Sequence, residues 1–301
     1  MAPITHEYGI TGPVPFLDVD IAADNKWFLD PRAIRLHRRT DPFATKANEC
    51  TETFFAEIID CVIRGDARRG LWLLQQFPEP WHTRLGLAKS GFSGHGGAKE
   101  VGSWFWRALT ENLEAFVVVG LLKELEELPL FIEGVDKDIT SDITTRIVFE
   151  ALAEFTDHMV NQYPEFTSGP HRVDTFNCQA WDSTRREWMV KPFALPVAEG
   201  KPLLLVPRGW ARQTLLMSAS RYYETKVLGY VQLERAVRLS TGKLLTTPKD
   251  RLKTEPGLGR GRVTNLDVTR RAYENNDDLI AEFKRFVDMK WTPPDGDRRS
   301  A

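Results

Sequence analysis

The chain of 301 residues has little cysteine, no long apolar run and no excess of charge of either sign. Only Cys50, Cys61 and Cys178 occur, without C-x-x-C spacing, which excludes a disulfide framework and a cysteine-rich zinc site. No stretch reaches the roughly 18 apolar residues of a membrane span. Residues 1–12, with His6, Glu7, Gly9 and Gly12, lack the basic start and apolar core of a secretory leader. Lys and Arg number 40 against 42 Asp and Glu, a formal charge of −2, which excludes a surface given over wholly to gripping a polyanion. Internal repeats, heptads and low-complexity tracts are missing too. These absences predict a soluble chain working in a reducing cytoplasm, with no membrane partner.

What is there suits a folded protein: 42% hydrophobic residues can supply a substantial core, so global disorder is excluded. Residues 14–21 alternate as a strand does, with Leu17, Val19 and Ile21 on one face and Asp18 and Asp20 on the other. Residues 26–31 read as its hairpin partner, stopped at Pro31. Phe54, Phe55, Ile58, Ile59, Val62 and Ile63 repeat as a helix that Gly65 ends. A second helix reaches Pro78, a long one spans about 98–128 and another about 143–161, with a short buried strand at 130–132 between them. Residues 171–207 turn to strand patterns, and helices follow over about 211–238 and 272–288. The expected fold is α+β or mixed α/β, with a helix-rich N-terminal half, a short N-terminal β-hairpin and a β-rich segment near 171–207. No linker marks a boundary, so residues 1–290 are expected to form a single integrated domain, with 171–207 as a candidate β-rich subdomain and 291–301 as a flexible tail.

Four groups could carry chemistry. Asp18, Asp20 and Asp30 would meet on the expected hairpin as hard oxygen ligands for Mg²⁺ or Mn²⁺, although aspartates also guard strand edges and start turns. Asp136, Asp138 and Asp142 follow a buried segment and open a helix, where catalytic carboxylates and helix caps both occur. Gly94, His95, Gly96 and Gly97, with Lys99 just beyond, could cradle a phosphate, but the run fits neither standard nucleotide fingerprint. Residues 243–271 hold eight basic against three acidic side chains among Pro and Gly breaks. That strip, with Arg260, Arg262, Arg270 and Arg271, is expected to be exposed and to contact nucleic-acid phosphates. Trp181 and Trp188 are expected to cover a sheet.

The run from Phe16 to Asp20, the Asp24-Asn25-x-Trp27-Phe28-Leu29-Asp30-Pro31 stretch, the glycine loop, the run from Gly134 to Thr144 and the late Leu203-Leu204-Leu205-Val206-Pro207 together resemble an uncharacterised family of bacterial proteins found among phage-defence and mobile-element genes. The resemblance covers about residues 14–210. It implies a setting, with nucleic acid or a neighbouring defence-system protein as partner, and assigns no catalytic residue. Two functions fit. One is a metal-assisted phosphodiesterase or nuclease, its carboxylates holding Mg²⁺ or Mn²⁺ and its glycine loop and basic strip holding the backbone. The other is a non-catalytic sensor or adaptor that binds nucleic acid or protein. Convergence of the two aspartate trios would favour the first, and dispersal the second.

Overall fold

Pro3 starts a short helix, α1 (Ile4–Tyr8), which Gly9 ends in the left-handed region at φ +69°. The computed structural model describes residues 2–77, 80–86, 98–112 and 122–292, the side chains of 98–101 apart. Its described residues gather into two compact units, the first from Met1–Glu111 and Asp136–Leu215, the second from Asn112–Val135 and Leu216–Thr292. The fold is mixed α+β, about 52% helix and 14% strand. Among the described residues no helix is long and apolar enough to cross a membrane.

In the first unit, β1 (Phe28–Leu29) leads into α2 (Pro31–His37) and α3 (Pro42–Arg64). Each helix begins with an aspartate followed by proline. The side chain of Asp30 accepts from the N–H groups of Arg32 and Ala33, and that of Asp41 from Phe43, while proline needs no donor partner in the first turn. Gly65 closes α3 at φ +68°, as its position after the apolar repeat predicts. Next, α4 (Ala67–Leu74) and α5 (Ala98–Glu111) cross closely at two glycines. A methyl on Gly102 would lie 2.6 Å from the Leu74 carbonyl oxygen, and one on Gly70 would meet the Trp106 ring.

After α6 (Leu128–Phe131), which belongs to the second unit, the chain continues the first with α7 (Lys137–Ile147) and α8 (Phe149–Gln162). A long antiparallel hairpin follows, β2 (Val173–Asp182) against β3 (Glu187–Ala198), in register from Val173 with Pro196 to Asp182 with Glu187. Trp181 and Trp188 face each other across it and pack with Phe54 and Phe77, a buried aromatic group. Each indole N–H is answered, Trp181 by Thr53 Oγ1 at 3.0 Å and Trp188 by the Leu73 carbonyl at 3.1 Å, so both cover the sheet as expected. The turn at Glu199 and Gly200, both at positive φ, adds β4 (Lys201–Pro202). β5 (Ala211–Arg212) pairs with β1.

The expected N-terminal hairpin does not form. Phe28 and Leu29 pair with Arg212 and Ala211 instead, while Phe16 makes a single bridge to Pro207 and Asp20 one to Pro3. The physical reason is burial: Val14, Phe16, Val19 and Ile21 all enter one apolar cluster with Ile4, Phe166, Leu203 and Leu205, which an alternating edge strand could not achieve.

In the second unit, α9 (Ala219–Tyr222) runs through a wider turn at Tyr223–Val227 into α10 (Leu228–Glu234). The small hairpin of β6 (Val237–Arg238) and β7 (Leu244–Leu245) precedes α11 (Lys249–Leu252), α12 (Arg262–Glu274) and α13 (Leu279–Lys290). Tyr222 is wholly buried against Phe131 and Phe283, its hydroxyl 2.7 Å from Thr269 Oγ1. Glu127, 1% exposed, receives Lys284 Nζ at 2.6 Å. Several expected segments change here and nearby. Residues 130–132 are not a strand, because Pro129 fits the first turn of α6. The helix expected over 143–161 is two, broken at Val148, and that expected over 272–288 is also two, the second capped by Asp278.

Candidate functional site

Helix α7 carries polar side chains on nearly every side yet presents almost no surface. Asp138, Thr140, Ser141, Asp142, Thr144, Thr145 and Arg146 are all buried. Such a helix must answer its polar groups from within. The hydroxyls of Thr140, Thr144 and Thr145 donate to the carbonyls of Asp136, Thr140 and Ser141, one turn back, at 2.6, 2.6 and 2.8 Å. Ser141 Oγ accepts from the Leu29 N–H at 2.9 Å and so fastens α7 to β1. Gly86 brings its backbone beside Asp138: with φ at +117° and Asp138 Oδ1 3.3 Å from where a Cβ would stand, a side chain there would be strained and crowded.

Arg146, in the last turn of α7, is different. It is 4% exposed, and among the described residues its Nε has no hydrogen-bond partner and its Nη2 reaches only Gln179 Oε1, at 3.5 Å. Asp142 stands one turn before it, yet no ion pair joins them among the described contacts. The guanidinium lies 5.6 Å from the centre of the Phe149 ring, and burial weakens its hold on its proton. Gln179 in turn donates to Gln76 Oε1 at 3.2 Å, and both glutamines are half-buried, which brings the group toward solvent.

His82 packs edge-on to the same Phe149 ring, centroids 5.4 Å apart, and its Nδ1 also lacks a partner among the described residues. Burial, then the charges of Arg146 and Arg84, push its pKa down to about 4, so the ring is neutral at ordinary pH. Trp81 stacks on His82 at 4.1 Å and 16°, and is itself 44% exposed. Two cations attend the indole, Arg84 Cζ at 5.7 Å and Lys201 Nζ at 5.9 Å from its centre. Arg84 is fixed there by the carbonyls of Trp81 and Ile21, at 2.7 and 3.1 Å. The three cysteines offer no thiolate, since burial raises Cys178 despite Arg146 nearby, and raises Cys50 to about 12 and Cys61 to about 11.

The expected site residues fall into separate places. Asp18 accepts from Thr5, N–H at 2.9 Å and hydroxyl at 2.6 Å; Asp20 accepts from the Ala22 N–H at 3.0 Å; Asp30 is the cap of α2. Asp136 caps α7 by accepting from the N–H groups of Asp138 and Ile139, at 3.0 and 3.1 Å. Only Asp138 and Asp142 lie buried together on one helix, a turn apart. Among the described residues no three His, Cys, Asp or Glu side chains gather closely enough to hold a metal ion. Gly94, His95, Gly96 and Gly97 lie outside the described residues, as does the side chain of Lys99, whose backbone is in α5.

The basic strip is largely exposed, but about half of it is helix rather than loop, and three of its four named arginines have acidic partners. Arg260 pairs with Glu224 at 2.6 Å and Arg271 with Glu234 at 2.7 Å. Arg262 lies 3.6 Å from Glu133 and donates to the carbonyls of Pro129 and Val135. Arg270 is exposed.

A family model described as a domain of unknown function, DUF8370, matches residues 11–218, more than half of the chain. The chain belongs to that family. Nothing matches among curated proteins or solved structures. The DUF8370 span contains every segment that carries the sequence resemblance, and it contains the whole Trp81, His82, Arg146 and Gln179 group. Sequence reasoning missed that group. Nothing in the pattern around Arg146 distinguishes it from an arginine paired with Asp142, and the one available signal was the Trp-His pair after Pro80.

Proposed function

We propose that this chain is a non-catalytic sensor or adaptor that binds single-stranded nucleic acid through its DUF8370 region. The observation that carries the reading is the exposed Trp81 indole, backed by His82 and attended by Arg84 and Lys201. An aromatic face for a base and nearby cations for the backbone are what sequence-tolerant binding to single strands requires. The resemblance to an uncharacterised family found among phage-defence and mobile-element genes supports an infection-linked role in the cytoplasm, with nucleic acid or a neighbouring defence-system protein as partner.

Stacking of one base on an aromatic side chain contributes ~1–3 kcal/mol by alanine substitution, so Trp81→Ala should weaken binding by roughly five- to 150-fold. Fluorescence polarisation with labelled single-stranded DNA and RNA measures this, and Trp81 is exposed enough for the variant to stay folded. Absence of binding by the parent chain, or equal binding by the variant, refutes the reading.

A second reading, a phosphodiesterase or nuclease assisted by Mg²⁺ or Mn²⁺, is favoured by one observation: Asp138 and Asp142 are buried a turn apart on α7. Incubation with plasmid, single-stranded DNA and RNA in each metal tests it. Cleavage that Asp138→Asn abolishes supports it, and inertness toward all three removes it.

A further inference from the structure

A guanidinium withdrawn from water is strongly disfavoured unless a counter-charge or a full set of hydrogen bonds answers it. Arg146 has neither. It is 4% exposed and makes one long bond to Gln179, and among the described residues no carboxylate pairs with it. His82 packs on the same Phe149 ring and feels the charge of Arg146, and its buried Nδ1 has no hydrogen-bond partner among the described residues. A buried cation and a buried imidazole nitrogen, packed on one ring, are groups of the kind that recognise an anion.

We propose that Arg146, with His82 and Gln179 beside it, receives a phosphate-type oxyanion, and that on a nucleic-acid ligand this is the end phosphate. The second half rests on the nucleic-acid reading above. Arginine's planar fork suits the bidentate geometry of a phosphate oxygen pair, and the free Nε is one of its donors. Burial selects the end of a strand. An internal phosphodiester has chain on both sides and cannot carry its oxygens to a group this deep, whereas a terminal phosphomonoester projects alone. The half-buried Gln76–Gln179 pair is the nearest edge of the group toward solvent. The charged groups facing His82 are Arg146 from α7 and Arg84 from its own segment, both cations. An arriving anion relieves that repulsion, so binding takes up a proton at His82 and tightens as the pH falls.

Calorimetry with inorganic phosphate, and with sulfate where pH is varied because sulfate does not itself titrate, tests the anion site. The parent chain should bind both, sulfate more tightly at pH 5.5 than at 7.5, and Arg146→Met should lose at least tenfold in affinity. Replacing an unpaired buried charge by an apolar side chain of similar length should also raise the melting temperature of the ligand-free protein. A lower melting temperature together with unchanged anion binding shows that Arg146 is only a structural residue and overturns the proposal. Oligonucleotides of one sequence with phosphate at the 5′ end, the 3′ end or neither form the second arm. A tenfold preference for one phosphorylated end, lost in Arg146→Met, supports the end-phosphate assignment. Equal binding of all three by the parent overturns that assignment and leaves the nucleic-acid reading standing. Binding of inorganic phosphate through Arg146 with no oligonucleotide binding sustains the anion site and overturns the nucleic-acid reading alone.

Discussion

Acidification from pH 7 to 4 should destabilise this chain through one histidine. Burial and two neighbouring cations hold the folded pKa of His82 at about 4, against 6.5 for the exposed ring. Between those values the unfolded chain binds a proton that the folded chain refuses, so stability is intact above about 6.5 and falls steadily as the pH drops toward 4. The gap, at ~1.4 kcal/mol for each pH unit, amounts to about 3 kcal/mol, a large share of the 5–15 kcal/mol that typically hold a domain together. Urea unfolding followed by tryptophan fluorescence reads it well, because Trp181 and Trp188 are buried in the same unit. His82→Gln keeps a polar ring-sized side chain and cannot titrate, so its unfolding free energy should fall less between pH 7 and 4, by about 3 kcal/mol. Parallel curves for parent and variant would falsify the claim that His82 is buried and neutral. Saturating sulfate should flatten the parent's curve if Arg146 and His82 share an anion.

Gly102→Ala should destabilise the first unit by about 1–3 kcal/mol, because the new methyl meets the Leu74 carbonyl rather than a side chain able to move; an unchanged melting temperature contradicts the close crossing of α4 and α5. Asp136→Ala should lower stability by ~1 kcal/mol through loss of the α7 cap, and Asp136→Ser should restore most of it, as denaturant midpoints will show. In the second unit, replacing Arg260, Arg262, Arg270 and Arg271 together by Ala should reduce the slope of log affinity against log salt by at most about 0.7, one single-strand contact, since three of the four already have acidic partners. A loss of two or more contacts' worth means that those pairs open for the ligand.

The parts of the fold legible in the sequence are those set by neighbours along the chain. The apolar repeat from Phe54 to Val62 with Gly65 after it specifies α3, and the strand patterns of residues 171–207 locate the β-rich segment, though not the pairing of β2 with β3. The pairing of Phe28–Leu29 with Ala211–Arg212 was not legible, because the partner lies far along the chain and is only two residues long. The Leu130–Ile132 run is too short for its period to separate strand from helix, and Pro129 decides the matter only once it is seen in a first turn. The site shows the same division. Asp30 before Pro31 and Asp136 before α7 are capping signatures that spacing can reveal. The isolation of Arg146 among the described residues depends on which side chains fail to reach it, and no spacing records that.

The second unit is assembled from two stretches of chain, and the order of synthesis opposes its closure. Leu125, Leu128, Leu130 and Phe131 leave the ribosome long before Tyr222 and Phe283 exist to help bury them, and Glu127 waits longer still for Lys284. At ~5–20 residues per second that delay lasts about 5 to 30 seconds. During it an apolar segment of nascent chain is open to aggregation or to a chaperone, so the yield of folded protein in cells depends on how quickly residues 216–292 are translated.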